Sequence, residues 1–163
     1  TDGDTCFLTE DWGDQIKNVI ERNQNAGIIT CLTNRIGYRN QLLNREFSHD
    51  TNILNHSKIA KKLREKYHYK NKPINSKIGG FFFTVKKATW KKIKFDEKIG
   101  MLGVDSDFSE RIIKNGKSVL LMRGLYVFHC YRILQGKGNK NHLLLPNGKL
   151  YNDNSRFKHL NKK

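Results

Sequence analysis

Short apolar runs, each fenced by turn residues, limit this chain to an α/β fold. Ile28-Ile29-Thr30-Cys31-Leu32-Thr33 is unbroken and β-branched, the pattern of a strand buried on both faces. Ile78-Gly79-Gly80-Phe81-Phe82-Phe83-Thr84-Val85 reads as an aromatic strand entered through two glycines. Ser118-Val119-Leu120-Leu121-Met122 and Leu125-Tyr126-Val127-Phe128-His129 read as extended segments on either side of Gly124. Helical periods lie between these runs. Trp12, Ile16, Val19 and Ile20 share one face of a helix that Asn25-Ala26-Gly27 is expected to end. Lys87 to Ile93 reads as a short helix with Trp90 and Ile93 inward. The expectation is a mixed sheet from residues near 28–33, 79–86 and 117–129, flanked by helices.

Thr1-Asp2-Gly3-Asp4-Thr5 opens the sequence with two carboxylates on a tight turn, hard-oxygen ligands suited to Mg²⁺ or Mn²⁺ carrying a diphosphate. Ordinary Asp-Gly turn chemistry is the plainer reading of the same residues. Further on, Phe95-Asp96-Glu97 precedes Gly103-Val104-Asp105-Ser106-Asp107-Phe108, where a Gly-rich turn meets a helix. That helix carries Phe108, Ile112 and Ile113 on one side and stops at Asn115-Gly116. Here too a plain reading stands beside the chemical one, because Asp107 with Glu110 three residues on fits a capping box. His129 closes an apolar strand, as structural histidines often do.

With 163 residues, one sizeable core fits, and the 31 Lys and Arg against 15 Asp and Glu give a net charge of +16. Such a balance suits an anionic partner, although a Lys- and Asn-rich composition is also what an AT-rich genome produces. No specific partner follows from it. Residues 34–50 read as loop and short helix. Ile53 to Tyr69 is a basic amphipathic segment with Ile59, Leu63 and Tyr67 on one face and Lys61, Lys62, Arg64 and Lys66 around the rest. It suits a membrane surface, nucleic acid or plain solvent. Cys6, Cys31 and Cys130 are odd in number, with no C-x-x-C, so a reducing cytosol fits better than a disulfide framework. Neither a membrane-length apolar run nor a signal peptide is visible. The first residue is not Met and a motif begins at once, so the sequence reads as cut from something longer.

Taken in order, Asp2-Gly3-Asp4, Gly79-Gly80-Phe81, Phe95-Asp96-Glu97, Gly103-Val104-Asp105-Ser106-Asp107-Phe108 and His129 resemble the second half of a family 2 glycosyltransferase with the GT-A nucleotide-sugar fold. The resemblance covers residues 1–132; residues 133–163 read as a polar basic tail. Val104 stands where the family has Glu, and the family's half that holds base and ribose has no counterpart here. The resemblance therefore implies an incomplete GT-A domain, inactive as an isolated fragment.

What the resemblance implies chemically is transfer of a sugar from a nucleotide-diphosphate donor to a saccharide or other acceptor hydroxyl. By it, Asp105 is the general base of an inverting reaction, with Asp107 the second choice or a cap. Asp4 and His129 become ligands of Mn²⁺ or Mg²⁺, the imidazole favouring Mn²⁺. Asp2 supports ribose or metal, and Gly79 and Gly80 let backbone approach the sugar. Lys137 and Lys140 are either a lid over the diphosphate or part of a solvated tail. A cytoplasmic enzyme, with contact to the inner face of a membrane left open, is the resulting picture, and no nucleic acid is expected. The competing class is a non-catalytic basic module on nucleic acid or an anionic membrane. Donor, acceptor and oligomeric state are not written in these residues.

Overall fold

The computed structural model describes residues 1–100 and 103–131. Its elements are β1 (Thr5–Phe7), α1 (Trp12–Arg22), β2 (Ala26–Thr33), a 3₁₀ turn (Arg45–His49) and α2 (Ile53–Tyr67). They continue with β3 (Asn71–Pro73), β4 (Phe83–Val85), α3 (Lys87–Lys92), α4 (Val104–Lys114) and β5 (Ser118–His129). The sheet runs β1-β5-β2-β4, with β3 also paired to β5. β2 and β5 are parallel and every other pairing is antiparallel. This is the expected α/β class with a mixed sheet flanked by helices. Among the described residues no helix is long and apolar enough to cross a membrane.

The two faces of the sheet follow from the two-residue period of its strands. Ile29, Cys31, Leu120 and Met122 point to the side where Ile16 and Val19 of α1 pack. Ile28, Val119 and Leu121 point to the other side, against Phe108 and Ile112 of α4. Parallel strands covered on both faces need apolar residues at consecutive positions, which is why β2 and β5 read as unbroken runs. α2 lies over the far end of β5. Its His56 is fully buried, Nδ1 sitting 2.7 Å from the Tyr126 hydroxyl and Nε2 3.0 Å from the Asp50 carbonyl. Since the carbonyl only accepts, Nε2–H donates to it, and in the neutral ring Nδ1 accepts the hydrogen bond of the Tyr126 hydroxyl. Burial pushes the Tyr126 phenol well above its ordinary value, and the Asp50 charge adds to this.

Several local expectations give way. α1 ends at Arg22, capped by Asn23, and Ala26 already belongs to β2. The extended run expected over 79–86 is a strand only at Phe83–Val85. Gly79 to Phe82 turn instead, because their peptide groups bond to side chains and loops. The Gly79 N–H donates to Gln41 Oε1 at 2.7 Å, Gln41 Nε2 donates to the Gly79 carbonyl at 3.1 Å, and Thr30 Oγ1 donates to the Phe82 carbonyl at 2.7 Å. Conversely, polar Asn71-Lys72-Pro73 forms a strand that the composition hides. As an edge strand it tolerates a proline without an N–H to donate.

Asp107 is not the cap of α4. The cap is Gly103, at φ 97°, and it has no side chain to offer. A left-handed residue there turns the chain sharply into the helix, a conformation that favours glycine. Asp107 lies one turn in, bonded to Arg111 at 2.7 Å. Glu110, the other half of the expected box, pairs with Lys77 at 2.9 Å and with Lys114 at 3.1 Å. Lys77 precedes the Gly79 turn, so this triad ties that turn to α4. Hydrogen bonds from Lys77, then Lys114, lower the Glu110 carboxyl from 4.5 to about 2.

A carboxyl lowered on folding contributes stability above its unfolded value, and the contribution disappears as pH falls through the folded value. The expected window is therefore pH 4.5 down to about 2. Glu110→Gln should flatten the loss of stability across that window. Solvent screening of these exposed groups should keep its effect at neutral pH under about 1 kcal/mol. Urea titrations of both proteins at stepped pH measure the difference, and parallel curves would remove the triad from the account.

Candidate functional site

β5 ends at His129, beside the start of the chain. The β1–β5 register pairs Thr5 with His129, and the Cys130 N–H extends the ladder to the Asp4 carbonyl at 2.8 Å. Asp2 is fixed separately, its N–H donating to the Phe81 carbonyl at 2.8 Å. Thr5 Oγ1 donates to the Asp2 carbonyl at 2.8 Å and closes the Asp-Gly-Asp turn. These backbone bonds bring Asp2, Asp4 and His129 together, with one ligand-type atom of each within 4.8 Å of the others.

The imidazole of His129 is oriented from three sides. The side-chain amide of Asn34 brackets its peptide: the His129 N–H donates to Asn34 Oδ1 at 2.8 Å, and Asn34 Nδ2 donates to the His129 carbonyl at 3.3 Å. Phe81 and Tyr131 stack on the ring at centroid distances of 5.5 and 5.4 Å. Nδ1 lies 2.7 Å from the Arg35 carbonyl, which only accepts, so Nδ1 carries a proton. In the neutral ring Nε2 is then a bare lone pair. Nε2 is buried without a hydrogen-bond partner, 3.3 Å from Asp4 Oδ1 and 4.0 Å from Asp2 Oδ2. A lone pair facing two carboxylates is repulsive unless something positive lies between them. A second ring proton meets that need, and so does a cation.

Asp105 enters from the opposite wall, in the first turn of α4. Its Oδ1 accepts from the Ser106 N–H at 2.9 Å. Gly80 lies against it: a Cβ at Gly80 would stand 3.1 Å from both Cβ and Oδ2 of Asp105. At Gly79 a Cβ would come within 2.6 Å of Ile36 Cδ1. The two glycines thus let the turn pass close to α4 and to the loop after β2. Asp2, Gly79, Gly80, Asp105 and His129 all line one cleft of about 420 Å³. Tyr38, hydrogen-bonded to Ser106, lines it too. Burial raises the Asp2 carboxyl; His129 opposes the shift, while Asp4 and Asp105 add to it.

The cleft does not gather everything the sequence singled out. Asp4 reaches His129 without lining the cleft, and Asp107, Asp96 and Glu97 lie outside its lining. Asp96 caps a turn, accepting from the Lys98 N–H at 2.9 Å. Phe95 packs on Trp90 at 4.7 Å and on Phe108 at 4.8 Å, and Trp90, partly buried, packs against the core around Phe108. Lys137, Lys140 and the tail from 133 lie outside the described residues. Cys6 and Cys130 stand next to the cluster. Burial raises the Cys130 thiol and the neighbouring Cys6 raises it further, so it is held as a thiol rather than a nucleophile.

Two positioning residues, Asn34 and Gln41, carry no mark in the sequence. Both are fully buried amides that mimic a strand's peptide groups. The one signal is the placement of Asn34 directly after the strongest strand, and Gln41, further along the same loop, has none. Compared with known proteins, the chain matches no family model, no curated protein and no solved structure.

Asn34→Leu keeps the branched shape but puts methyl groups in place of the amide, which orphans the N–H and carbonyl of His129 in a buried position. The expected cost is about 1–3 kcal/mol in urea unfolding. In the wild type, long-range proton–nitrogen NMR at a pH where the ring is neutral should show the Nδ1–H tautomer of His129. Protonated Nε2 in that neutral ring would contradict the assignment.

Proposed function

We propose that this chain carries the metal, donor-sugar and acceptor side of a metal-dependent glycosyltransferase of the GT-A type, acting on a nucleotide-diphosphate sugar. One observation carries the reading. Asp2, Asp105 and His129, more than a hundred residues apart in sequence at the extremes, line a single cleft, and His129 lies 3.3 Å from Asp4. Helix caps and turn aspartates have no reason to meet in this way.

The donor set suits a divalent cation. Two carboxylates and a neutral imidazole nitrogen whose other nitrogen is held by a backbone carbonyl make an oxygen–nitrogen site acceptable to Mn²⁺ or Mg²⁺, with the imidazole favouring Mn²⁺. Asp4 and His129 would hold the ion, and Asp2 would support it or the ribose. When bound, the ion neutralises the charge of a departing diphosphate without a protonated acid.

The remaining roles fall to the chain's own groups. Asp105 is the general base that takes the proton from an acceptor hydroxyl as the sugar's anomeric carbon is attacked. A carboxylate in hydrogen-bond reach of the hydroxyl suffices for this step. Gly79 and Gly80 line the same cleft, packed against Ile36 and Asp105, so their backbone would lie beside a bound sugar. A single base in an inverting displacement accounts for one carboxylate here, where a glycosidase would need a working pair. Asp107, held by Arg111, is a poorer candidate for the base.

Titration of the protein with MnCl₂ alone tests the ion site. Binding should be saturable in the wild type, weakened about 10- to 100-fold or more by His129→Ala, and little changed by Asp105→Asn. In the protein as isolated from its source, Asp105→Asn should lower transfer by about 10²–10⁴ while folding survives. Equal cation binding by the His129 variant would remove the metal role, and undiminished transfer would remove Asp105 as base.

A further inference from the structure

A second groove, of about 460 Å³, runs between α2, the loop after β2 and the edge where β3 meets β5. Its rim carries Arg39, Lys62, Lys66, Lys72 and Arg123, and no carboxylate lines it. Among the described residues none of these five cations forms an ion pair with an acidic side chain. Four other basic side chains among the described residues do find such partners, Arg64 with Asp11, Lys77 and Lys114 with Glu110, and Arg111 with Asp107. The floor is different in kind, made of Leu42, Leu43, Leu63 and Leu121. Unpaired positive charge around a leucine floor is complementary to a molecule with an anionic head and an apolar body.

We propose that this groove docks the protein on a membrane surface by taking the phosphate headgroup and upper acyl carbons of an anionic lipid. The sequence of α2 supplies the approach, since exposed Lys58, Lys62 and Lys66 recur every four residues along one flank. Basic side chains add attraction to anionic lipid, and an apolar contact adds a second, independent signal; stable peripheral binding generally needs both. A nucleic acid fits the groove less well. Base stacking needs an open aromatic face. The one aromatic in the lining is Tyr67, and Arg123 lies over its ring at 3.9 Å. A leucine floor offers a phosphate backbone nothing. The inference does not depend on the transferase reading, because no residue of the groove belongs to the first cleft.

Flotation of the full 163-residue chain with vesicles tests it. Binding to phosphatidylcholine vesicles containing phosphatidylglycerol should exceed binding to pure phosphatidylcholine by about tenfold or more and weaken with added salt. Lys62→Ala/Lys66→Ala/Lys72→Ala should lose about tenfold or more of it. The control Lys17→Ala/Lys91→Ala/Lys92→Ala removes the same charge from exposed positions elsewhere and should lose under about twofold. All six lysines are exposed, so melting curves should coincide with that of the wild type. Leu43→Asn leaves the charge unchanged and should also weaken binding. Equal losses in the two triple variants would reduce the effect to net charge and overturn the groove. Displacement by inorganic phosphate alone would make it a plain anion site, and lysine-dependent binding of a single-stranded oligonucleotide without vesicle binding would make it a nucleic-acid surface. Either result overturns the proposal.

Discussion

β1, β2 and β3 all hydrogen-bond to β5, and only β4 does not. β2 lines one side of it from Ser118 to Val127, while β3 and then β1 share the other. The strand is also covered on both faces, so its twelve residues are fixed by pairing and packing together. A register slip of one residue would turn Leu120, Met122 and Val127 toward the wrong layer. Two irregularities are built in, a shift at Gly27 between the Ala26–Ser118 and Ile28–Val119 pairs and a bulge beside Gly124 where the pairing shifts between Met122 and Tyr126. His129 stands at the end of this strand, which makes it the most firmly placed residue of the cleft. Asn34 then continues the pairing by one peptide beyond the last residue of β2.

The sequence announces the parts of the fold that burial dictates. β2, β5, α1 and α4 are legible because a strand covered twice must be apolar throughout and a helix covered once must be apolar on one side. Three-residue edge strands bury too little to leave such a trace, so Asn71-Lys72-Pro73 reads as a break. Phe81 and Phe82 mislead in the opposite direction. They are buried aromatics, as strand residues are, but their carbonyls accept from the Asp2 N–H and the Thr30 hydroxyl, and the Gln41 amide takes the peptide groups of Gly79 before them. The start of α4 shows how two residues, a little over half a helical turn, separate two roles. With Gly103 as the cap, Asp105 falls in the first turn facing the cleft and Asp107 falls next to Arg111. Asn34 and Gln41 were illegible because Asn and Gln in a polar loop look the same whether they are solvated or fully buried.

A chain with twice as many basic as acidic residues has nevertheless gathered three carboxylates in and beside one cleft, Asp2 and Asp105 in its lining and Asp4 against His129. Their mutual repulsion shows in Asp2, whose carboxyl is raised by burial and further by Asp4 and Asp105. The leucine-floored groove has the opposite character, with cations brought together and none of them neutralised. Both arrangements cost folding free energy relative to a dispersed charge pattern. Each is therefore a place where an oppositely charged ligand would relieve repulsion already present in the fold.

The cleft is also assembled from parts of unequal permanence. His129 and Asp105 belong to β5 and α4, but Asp2 and Asp4 hang on a three-residue edge strand, the Cys130 N–H and the bonds from Thr1 and Asp2 to the Phe81 carbonyl. Fraying of that edge would separate the carboxylates from the imidazole while leaving β2, β5 and both layers of side chains in place. Loss of the cleft and loss of the fold are thus two transitions, the first requiring far less surface to be exposed. A melting curve followed by far-ultraviolet dichroism would record the second alone and overstate the temperature to which the cleft stays assembled.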